Sequence, residues 1–392
     1  MATRARSRAR SSTSRRGRAR RSRATRRVRY AVVGLGHIAQ VAVLPAFAHA
    51  RRNSELVALV SDDPKKLRTL ARRYDVSVTR DYDAYDDLLR SGDVDAVYIA
   101  LPNHLHRDYA VRAARAGVHV LCEKPMAVTE RDAEAMIREA RAHDVRLMIA
   151  YRLHFDRANL EAVRLARSGR LGTLRSFDST FTMDVEPGDI RLSEPARGGG
   201  PLYDIGIYCI NAARYLFADE PDEVFAFRAS RPDARFRRVE EMIAATLRFP
   251  GDRLATFVCG FGSAAVASYR LVGTKGDVRA EPAYEYAEPI TLHVTRNGRA
   301  SKRTFPRGDQ FAPELLHFSD CVRSGREPSP SGAEGLADVR IVRALYQSLR
   351  SGRPTRLGRV GHGRRPRPEQ AIHRPPVEEP SLVHVTAPNR AD

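Results

Sequence analysis

Nowhere in the 392 residues does an apolar run approach the ~20 residues that a membrane-spanning helix needs, so no transmembrane segment is expected. Cysteine is scarce. Cys122, Cys209, Cys259 and Cys321 lie far apart with no C-x-x-C pair, which argues against both a disulfide framework and a zinc site. Lysine is nearly absent for so basic a chain: Lys65, Lys66, Lys124, Lys275 and Lys302 are five among 67 basic residues. Acidic residues are missing from residues 1–27, which hold 12 arginines, so 20 − 12 leaves +8 of the +20 net charge for everything after them. The basicity is mostly a tail. Arginine alternating there with Ser, Ala, Thr and Gly buries no apolar area, and the segment is expected to be disordered. Ser14-Arg15-Arg16 echoes a twin-arginine export signal, but no apolar segment follows it, so a cytoplasmic protein is expected. No aromatic residue is interleaved to stack bases, which leaves nucleic acid only as a non-specific polyanion partner of residues 1–27.

What is present is enough for two globular domains, with 42% hydrophobic and 29% charged residues. Val28 to Val33 is a β-rich run, followed by Gly34-Leu35-Gly36-His37-Ile38-Ala39 at a strand-to-helix turn. In G-x-G-x-x-A the small residues give a tight turn, the approach of a pyrophosphate and close helix packing. The helix N-terminus adds free N–H groups and a favourable dipole. Gly34, Gly36, His37 and Ile38 are therefore expected cofactor contacts. A second strand, Glu55 to Val60, ends at Ser61, where a dinucleotide fold keeps the acid that bonds the ribose 2′-hydroxyl. A serine there, with Lys65 and Lys66 behind it, suits a 2′-phosphate and favours NADP over NAD. Asp62 and Asp63 pull the other way if either side chain turns inward.

Helices near 64–74 and 83–90 and a strand over Ala96 to Ala100 lead to Leu101-Pro102-Asn103-His104-Leu105-His106. His104-x-His106 lacks a third ligand at metal spacing, so this is read as a cofactor-lining loop with no metal. After a helix stopped by Gly117, the buried run Val118 to Cys122 meets Glu123-Lys124-Pro125. Pro125 ends the strand, and Lys124 is left at its carboxyl end, where open α/β sheets place ligands. Taken alone, the Glu123-Lys124 pair reads equally as a structural ion pair. A helix capped by Thr129 and a strand over Leu147 to Tyr151 close a first, doubly wound domain over 28–150, with Arg152 at its edge.

A second domain over 151–357 is expected to be α+β, with an open, mostly antiparallel sheet. Its strand-like segments fall at 173–183, 222–230, 242–250, 253–262, 268–280 and 290–305, its helices near 156–168, 310–324 and 333–351. Between the first two strands, Gly198-Gly199-Gly200 precedes a helix on which Asp204, Tyr208, Asn211 and Tyr215 share one face. A polar line on an apolar helix faces partners or a wet cleft; a buried Asp-Tyr pair that serves only packing is the alternative. Residues 358–392, rich in Pro and Arg, read as a loose tail.

Gly34-Leu35-Gly36, the 101–106 loop, Cys122-Glu123-Lys124-Pro125-Met126, Gly198-Gly199-Gly200 and Asp204-Ile205-Gly206-Ile207-Tyr208 together resemble the Gfo/Idh/MocA oxidoreductases, most closely the glucose-fructose oxidoreductase branch. The likeness runs from about Val28 to about Arg356. It implies an NADP-binding Rossmann domain and a sheet domain that forms a homodimer or homotetramer. Carried over by position, it makes Lys124, Asp204 and Tyr208 the catalytic residues and places Ser61 and Lys66 on the 2′-phosphate. Leu101, Pro102, Asn103, His106, Glu123, Lys124 and Arg152 join the cofactor site, and Arg152, Arg191 and Tyr208 the substrate pocket. A cis Lys124-Pro125 bond is implied too. Ile190 replaces an aromatic of the branch.

The activity so implied is NADP-dependent hydride transfer at an aldose C1 hydroxyl or a related polyol or diol. An ordinary aldose or dihydrodiol dehydrogenase that releases NADPH is the nearer alternative. A nucleotide-binding regulator with a polyanion-binding tail is the alternative of another class. A free tyrosine titrates near ~10, so Tyr208 needs a neighbouring cation to serve as the base, and Lys124 is the candidate.

Overall fold

Short β-branched runs alternate with helices through the first half of the chain in the computed structural model, which describes residues 26–358 and 365–388. β1 (Val28–Val33) leads through a π-wound turn over Ala39–Val43 into α1 (Leu44–Ala50), and β2 (Ser54–Val60) leads into α2 (Pro64–Tyr74). β3 (Val78–Arg80), α3 (Tyr85–Arg90), β4 (Ala96–Ile99), α4 (His106–Arg115), β5 (His119–Glu123), α5 (Glu130–Ala142) and β6 (Leu147–Ala150) follow. The six strands form one parallel sheet in the order β3-β2-β1-β4-β5-β6. Strand order reverses between β1 and β4, which opens a crevice at the carboxyl ends of those strands. β4 and β6 are buried throughout and β5 almost so, as strands covered on both faces must be.

α6 (Arg157–Arg167) and β7 (Leu174–Asp184) open the second half, and a π-wound turn over Leu202–Gly206 runs into α7 (Ile207–Phe217). β8 (Glu223–Ala229), β9 (Met242–Phe249), β10 (Arg253–Gly260), β11 (Gly262–Gly273), β12 (Gly276–Glu281), β13 (Ile290–Arg296) and β14 (Arg299–Phe305) follow. α8 (Ala312–Ser324), α9 (Gly332–Ser351) and β15 (Thr355–Arg356) finish the fold. The nine-stranded sheet has the order β14-β13-β12-β11-β7-β10-β9-β8-β15 and is antiparallel except where β10 pairs with β7. This is the expected class, a doubly wound parallel sheet followed by an α+β domain.

Three expectations need correction. The segments 268–280 and 290–305 are not single strands. The first belongs to the β11–β12 hairpin and the second to β13–β14, which turns at Asn297-Gly298. Both turn residues have positive φ, 48° and 76°, as a tight two-residue hairpin requires. Second, α8 falls within 151–357 but packs on the first sheet. The Tyr30 hydroxyl meets Ser319 Oγ at 2.8 Å, and Asn53 Nδ2 donates to the Leu316 carbonyl at 2.9 Å. Leu315, Leu316 and Phe318 join the buried cluster of Tyr30, Val32 and Leu59. Third, residues 365–388 are no loose tail but lie along both domains, with Val383 only 8% exposed. The arginine-rich N-terminal segment lies, apart from Arg26 and Arg27, outside the described residues, and with it the polyanion expectation. No helix among the described residues is long and apolar enough to cross a membrane.

Candidate active site

The crevice begins at the glycine turn after β1. Gly34 has φ +92°, and a Cβ there would lie 2.5 Å from the Ala100 carbonyl oxygen, so only glycine lets the ends of β1 and β4 approach this closely. A Cβ on Gly36 would meet nothing within 4 Å, so that residue faces open space. His37 and Ile38 follow at the helix N-terminus, and Gln40 N–H donates back to the Gly36 carbonyl at 3.1 Å. Burial, then the charge of Arg191 in the second domain, lowers the His37 pKa below its ordinary 6.5. At the end of β2, Ser61 is buried and its Oγ accepts from Asp63 N–H at 3.2 Å. Asp63 Oδ1 caps α2 by accepting from the N–H groups of Lys65 and Lys66 at 2.9 and 3.0 Å. An open glycine face, a helix N-terminus and a serine-lysine pair fit the pyrophosphate and ribose ends of a dinucleotide.

Two loops line the other side. Asn103 Nδ2 donates to the Gly198 carbonyl at 2.7 Å, docking the 101–106 loop on the triple-glycine turn of the second domain. Leu101 is buried, and Pro102 is partly buried where the chain enters that loop. His106, expected among the cofactor contacts, is fully buried. Its ring nitrogens lie 2.9 Å from the Pro125 carbonyl and 2.8 Å from the Leu101 carbonyl. It therefore ties the two cleft loops together and has no polar atom left for a nucleotide. His104 Nε2 is 3.1 Å from Arg197, and no group of three or more potential metal ligands occurs among the described residues.

Glu123 sits behind the turn, where the Tyr98 hydroxyl donates to one carboxylate oxygen at 2.7 Å and Lys124 N–H to the other at 3.2 Å. Burial raises its pKa, and the charge of Lys124 pulls it back. The Lys124-Pro125 bond is cis. Lys124, with 12% of its side chain exposed, crosses to the second domain. Its Nζ donates to the Asp204 carbonyl at 2.8 Å and to Asp204 Oδ1 at 3.1 Å, and lies 4.7 Å from the Tyr208 ring centroid. Burial opposes the ammonium charge, but Asp204, Tyr208 and Glu123 outweigh it, and the pKa is raised above 10.5. Lys124 is thus a cation at neutral pH rather than a base.

Asp204 holds two cations, because Arg191 Nε donates to its other oxygen at 2.8 Å. Burial would raise its pKa, but Lys124 and Arg191 bring it down to about 2. Arg191 is held in turn by Asp189, at 3.2 Å from each oxygen. Arg152 is buried; it donates to Gln310 and to the Tyr284 carbonyl, and its guanidinium carbon lies 5.1 Å from the Tyr208 ring centroid and 5.2 Å from that of Tyr286. Tyr208 therefore has two cations near its ring, one from the end of β5 and one from the start of the second domain.

The polar line on α7 divides. Asp204 and Tyr208 reach the crevice, whereas Asn211 bonds Asp338 at 2.8 Å and His154 at 2.8 Å, and the Tyr215 hydroxyl donates to Asn159 at 2.6 Å. Asp204 lies in the π-wound turn itself, and Tyr208, Asn211 and Tyr215 follow on α7. Asp189, Tyr286 and the Arg191-Asp204 link were not anticipated; Asp189 and Arg191 are two residues apart, but nothing in their spacing points across to Asp204.

A sequence model described as "Oxidoreductase family, NAD-binding Rossmann fold" matches residues 28–151, and "GFO/IDH/MocA C-terminal domain" matches 159–279. A D-xylose 1-dehydrogenase [NADP(+)] of Haloarcula marismortui is 31% identical over 336 residues, 84% of this chain and 93% of its own length. An aldose-aldose oxidoreductase from Caulobacter crescentus, solved with glycerol, superposes with a TM-score of 0.81 at 40% identity and covers 85% of this chain and 100% of its own. A 3-ketoreductase from Actinomadura kijaniata, solved with TDP-benzene and NADP, gives a TM-score of 0.73 at 28% identity over 82% of this chain and 98% of its own. The chain belongs to the Gfo/Idh/MocA family of oxidoreductases.

Proposed function

We propose that the protein is an NADP-dependent oxidoreductase that moves hydride between the CH–OH carbon of a sugar, an aldose C1 or a related polyol or diol, and a nicotinamide in the crevice. The observation that carries this is Lys124 from the end of β5 meeting Asp204 and the Tyr208 ring from the second domain, so that the site exists only where the domains meet. Bound NADP supplies the hydride acceptor or donor. Ser61 and Lys66 hold its 2′-phosphate, and the turn from Gly34 to Ile38 holds its pyrophosphate. Tyr208 is the group placed to exchange a proton with the substrate hydroxyl. Lys124 and Arg152 stabilise the negative charge that develops on the oxygens between them. Asp204 fixes Lys124 with one oxygen and Arg191 with the other, and Arg191 joins the substrate pocket. A sugar-bearing relative, the D-xylose dehydrogenase, and the aldose-aldose oxidoreductase structure support the substrate class. A regulator without turnover would have no use for the paired cations around Tyr208.

The open face of the nine-stranded sheet is read as the surface that joins copies in a homodimer or homotetramer. Phe227 on β8, Leu254 on β10 and Val266 on β11 are 66%, 47% and 42% exposed there. Light scattering on the purified protein tests this; a monomer contradicts it. The activity is tested by supplying NADP with a panel of aldoses, polyols and diols and identifying products. Turnover of none of them would remove the sugar reading.

A further inference from the structure

Residues 365–388 lie outside both matched family segments, 28–151 and 159–279. Their path is fixed by side chains of both domains. Arg365 pairs with Glu220, which with Glu334 and Asp338 also holds the buried Arg214; the Arg374 carbonyl accepts from Asp309 N–H at 3.1 Å, and Arg374 Nε donates to the His49 carbonyl at 3.2 Å. The chain then reaches α2, where Arg73 donates to the Ser381 carbonyl at 2.8 Å and to its hydroxyl at 3.0 Å. Val383 enters the same buried cluster as Leu35 and Ala39 of the glycine turn. One side chain holds both of its backbone groups: Gln40 Oε1 accepts from Val383 N–H at 2.8 Å, and Gln40 Nε2 donates to its carbonyl at 3.0 Å. The same Nε2 donates to the Leu35 carbonyl at 2.9 Å. His384, at φ 50°, places Nδ1 2.9 Å from Asp63 Oδ2. Four residues later the Pro388 carbonyl accepts from Glu186 N–H at 3.0 Å, just past β7 in the second domain.

The segment thus crosses from the ribose end of β2 and the glycine turn to the loop that carries Arg191. We propose that residues 381–388 are a strap that retains the dinucleotide, and that His384 within it is a specificity residue for the 2′-phosphate. The proposal rests on the NADP reading above. A carboxylate at the end of β2 normally bonds a ribose 2′-hydroxyl and repels a 2′-phosphate. Here both oxygens of Asp63 are already occupied, Oδ1 by the first turn of α2 and Oδ2 by His384. The acid is held in capping geometry by the N–H groups of Lys65 and Lys66, with His384 on its other oxygen. Neither oxygen is therefore free to accept from a ribose hydroxyl, which removes the contact that favours NAD. Strap and first helix share one buried side chain, Val383, so release of nucleotide past the strap requires uncovering it.

The test is nucleotide binding measured without turnover. NADP and NAD dissociation constants and NADP release rates are determined by equilibrium dialysis and stopped-flow fluorescence for the full-length protein, His384→Ala and Val383→Asp. His384 is half-exposed, its side chain 49% accessible, so its removal leaves the fold intact. Losing one charge-assisted contact predicts about tenfold weaker NADP binding in His384→Ala, with NAD changed far less. Val383→Asp is predicted to release NADP at least ~10-fold faster by freeing the strap. Unchanged NADP affinity and release rate in both variants overturns the strap, and equal weakening of NAD and NADP in His384→Ala overturns its role in specificity. A wild-type protein that binds neither nucleotide overturns the cofactor reading itself, and the strap with it.

Discussion

Lys124 Nζ lies 3.1 Å from Asp204 Oδ1, joining the end of a parallel strand in one domain to the π-wound turn that opens a helix in the other. Each charge stabilises the other, and Arg191 closes the arrangement from the far side of the carboxylate. Lys124→Ala removes the cation from the Tyr208 ring and is expected to lower kcat by ~10²-fold or more. NADP affinity is expected to stay within a few-fold, because the glycine turn and Ser61 are untouched. Steady-state kinetics beside dialysis binding checks both.

The two glycines of the turn separate folding from binding. Gly34→Ala drives a Cβ into the Ala100 carbonyl at 2.5 Å from a residue at φ +92°, and it should lower the melting temperature as well as abolish nucleotide binding. Gly36→Ala points a methyl into open space. It should melt near the wild type yet bind NADP at least ~10-fold more weakly, since the methyl stands where the pyrophosphate approaches. Thermal melts and binding isotherms on the two variants distinguish these outcomes.

Acid should weaken the protein in two stages. His154 and His317 are buried neutral, and burial lowers both from an ordinary 6.5 to about 4. Their folded pKa values are depressed, so their contribution is complete above pH 6.5 and is lost as pH falls toward 4, at up to ~3 kcal/mol each. Asp204, depressed from 3.8 to about 2, gives up a further ~2 kcal/mol between those values. Urea midpoints measured from pH 7 down to pH 4 should lose less in His317→Gln than in the wild type. A pH dependence identical in the two proteins contradicts the burial of that ring as a neutral group.

Glu314, in the first turn of α8, is fully buried, and neither carboxylate oxygen has a hydrogen-bond partner among the described residues. Burial first, then repulsion from Glu123, raises its pKa well above 4.5. The folded protein therefore binds this proton more tightly than the unfolded chain, and the resulting stability declines as pH rises above 4.5. Glu314→Gln keeps the shape without the charge and is expected to raise stability at pH 8 by at least ~1 kcal/mol, with little gain at pH 5. Urea unfolding at the two pH values decides it.

Residues that act through local pattern were legible in the sequence. Gly34 and Gly36 announce a strand-to-helix turn, Pro125 ends a buried run with Lys124 beside it, and Asp204 and Tyr208 recur at helical spacing. Residues that act through distant partners were not. His106 reads as a cofactor contact because it sits in the right loop; only the approach of the Leu101 and Pro125 carbonyls shows that both its nitrogens are engaged. Asn211 and Tyr215 share the face of Asp204 by periodicity, yet Asp338 and His154 engage the first and Asn159 the second. The hairpin at Asn297-Gly298 carried a local signal, whereas Val383 lies in a polar, proline-rich stretch and its backbone is held by a glutamine 343 residues away. Composition describes such a segment as loose because it records no partner.

Tyr208, near both Lys124 and Arg152, is the proposed proton-exchanging group. Reduction of NADP followed at 340 nm with the best aldose of the panel, for wild type and Tyr208→Phe, tests it most directly. The phenylalanine variant is predicted to lose ~10²-fold or more in kcat while its NADP dissociation constant stays within twofold. Near wild-type turnover in Tyr208→Phe would contradict the assignment and the site built around it.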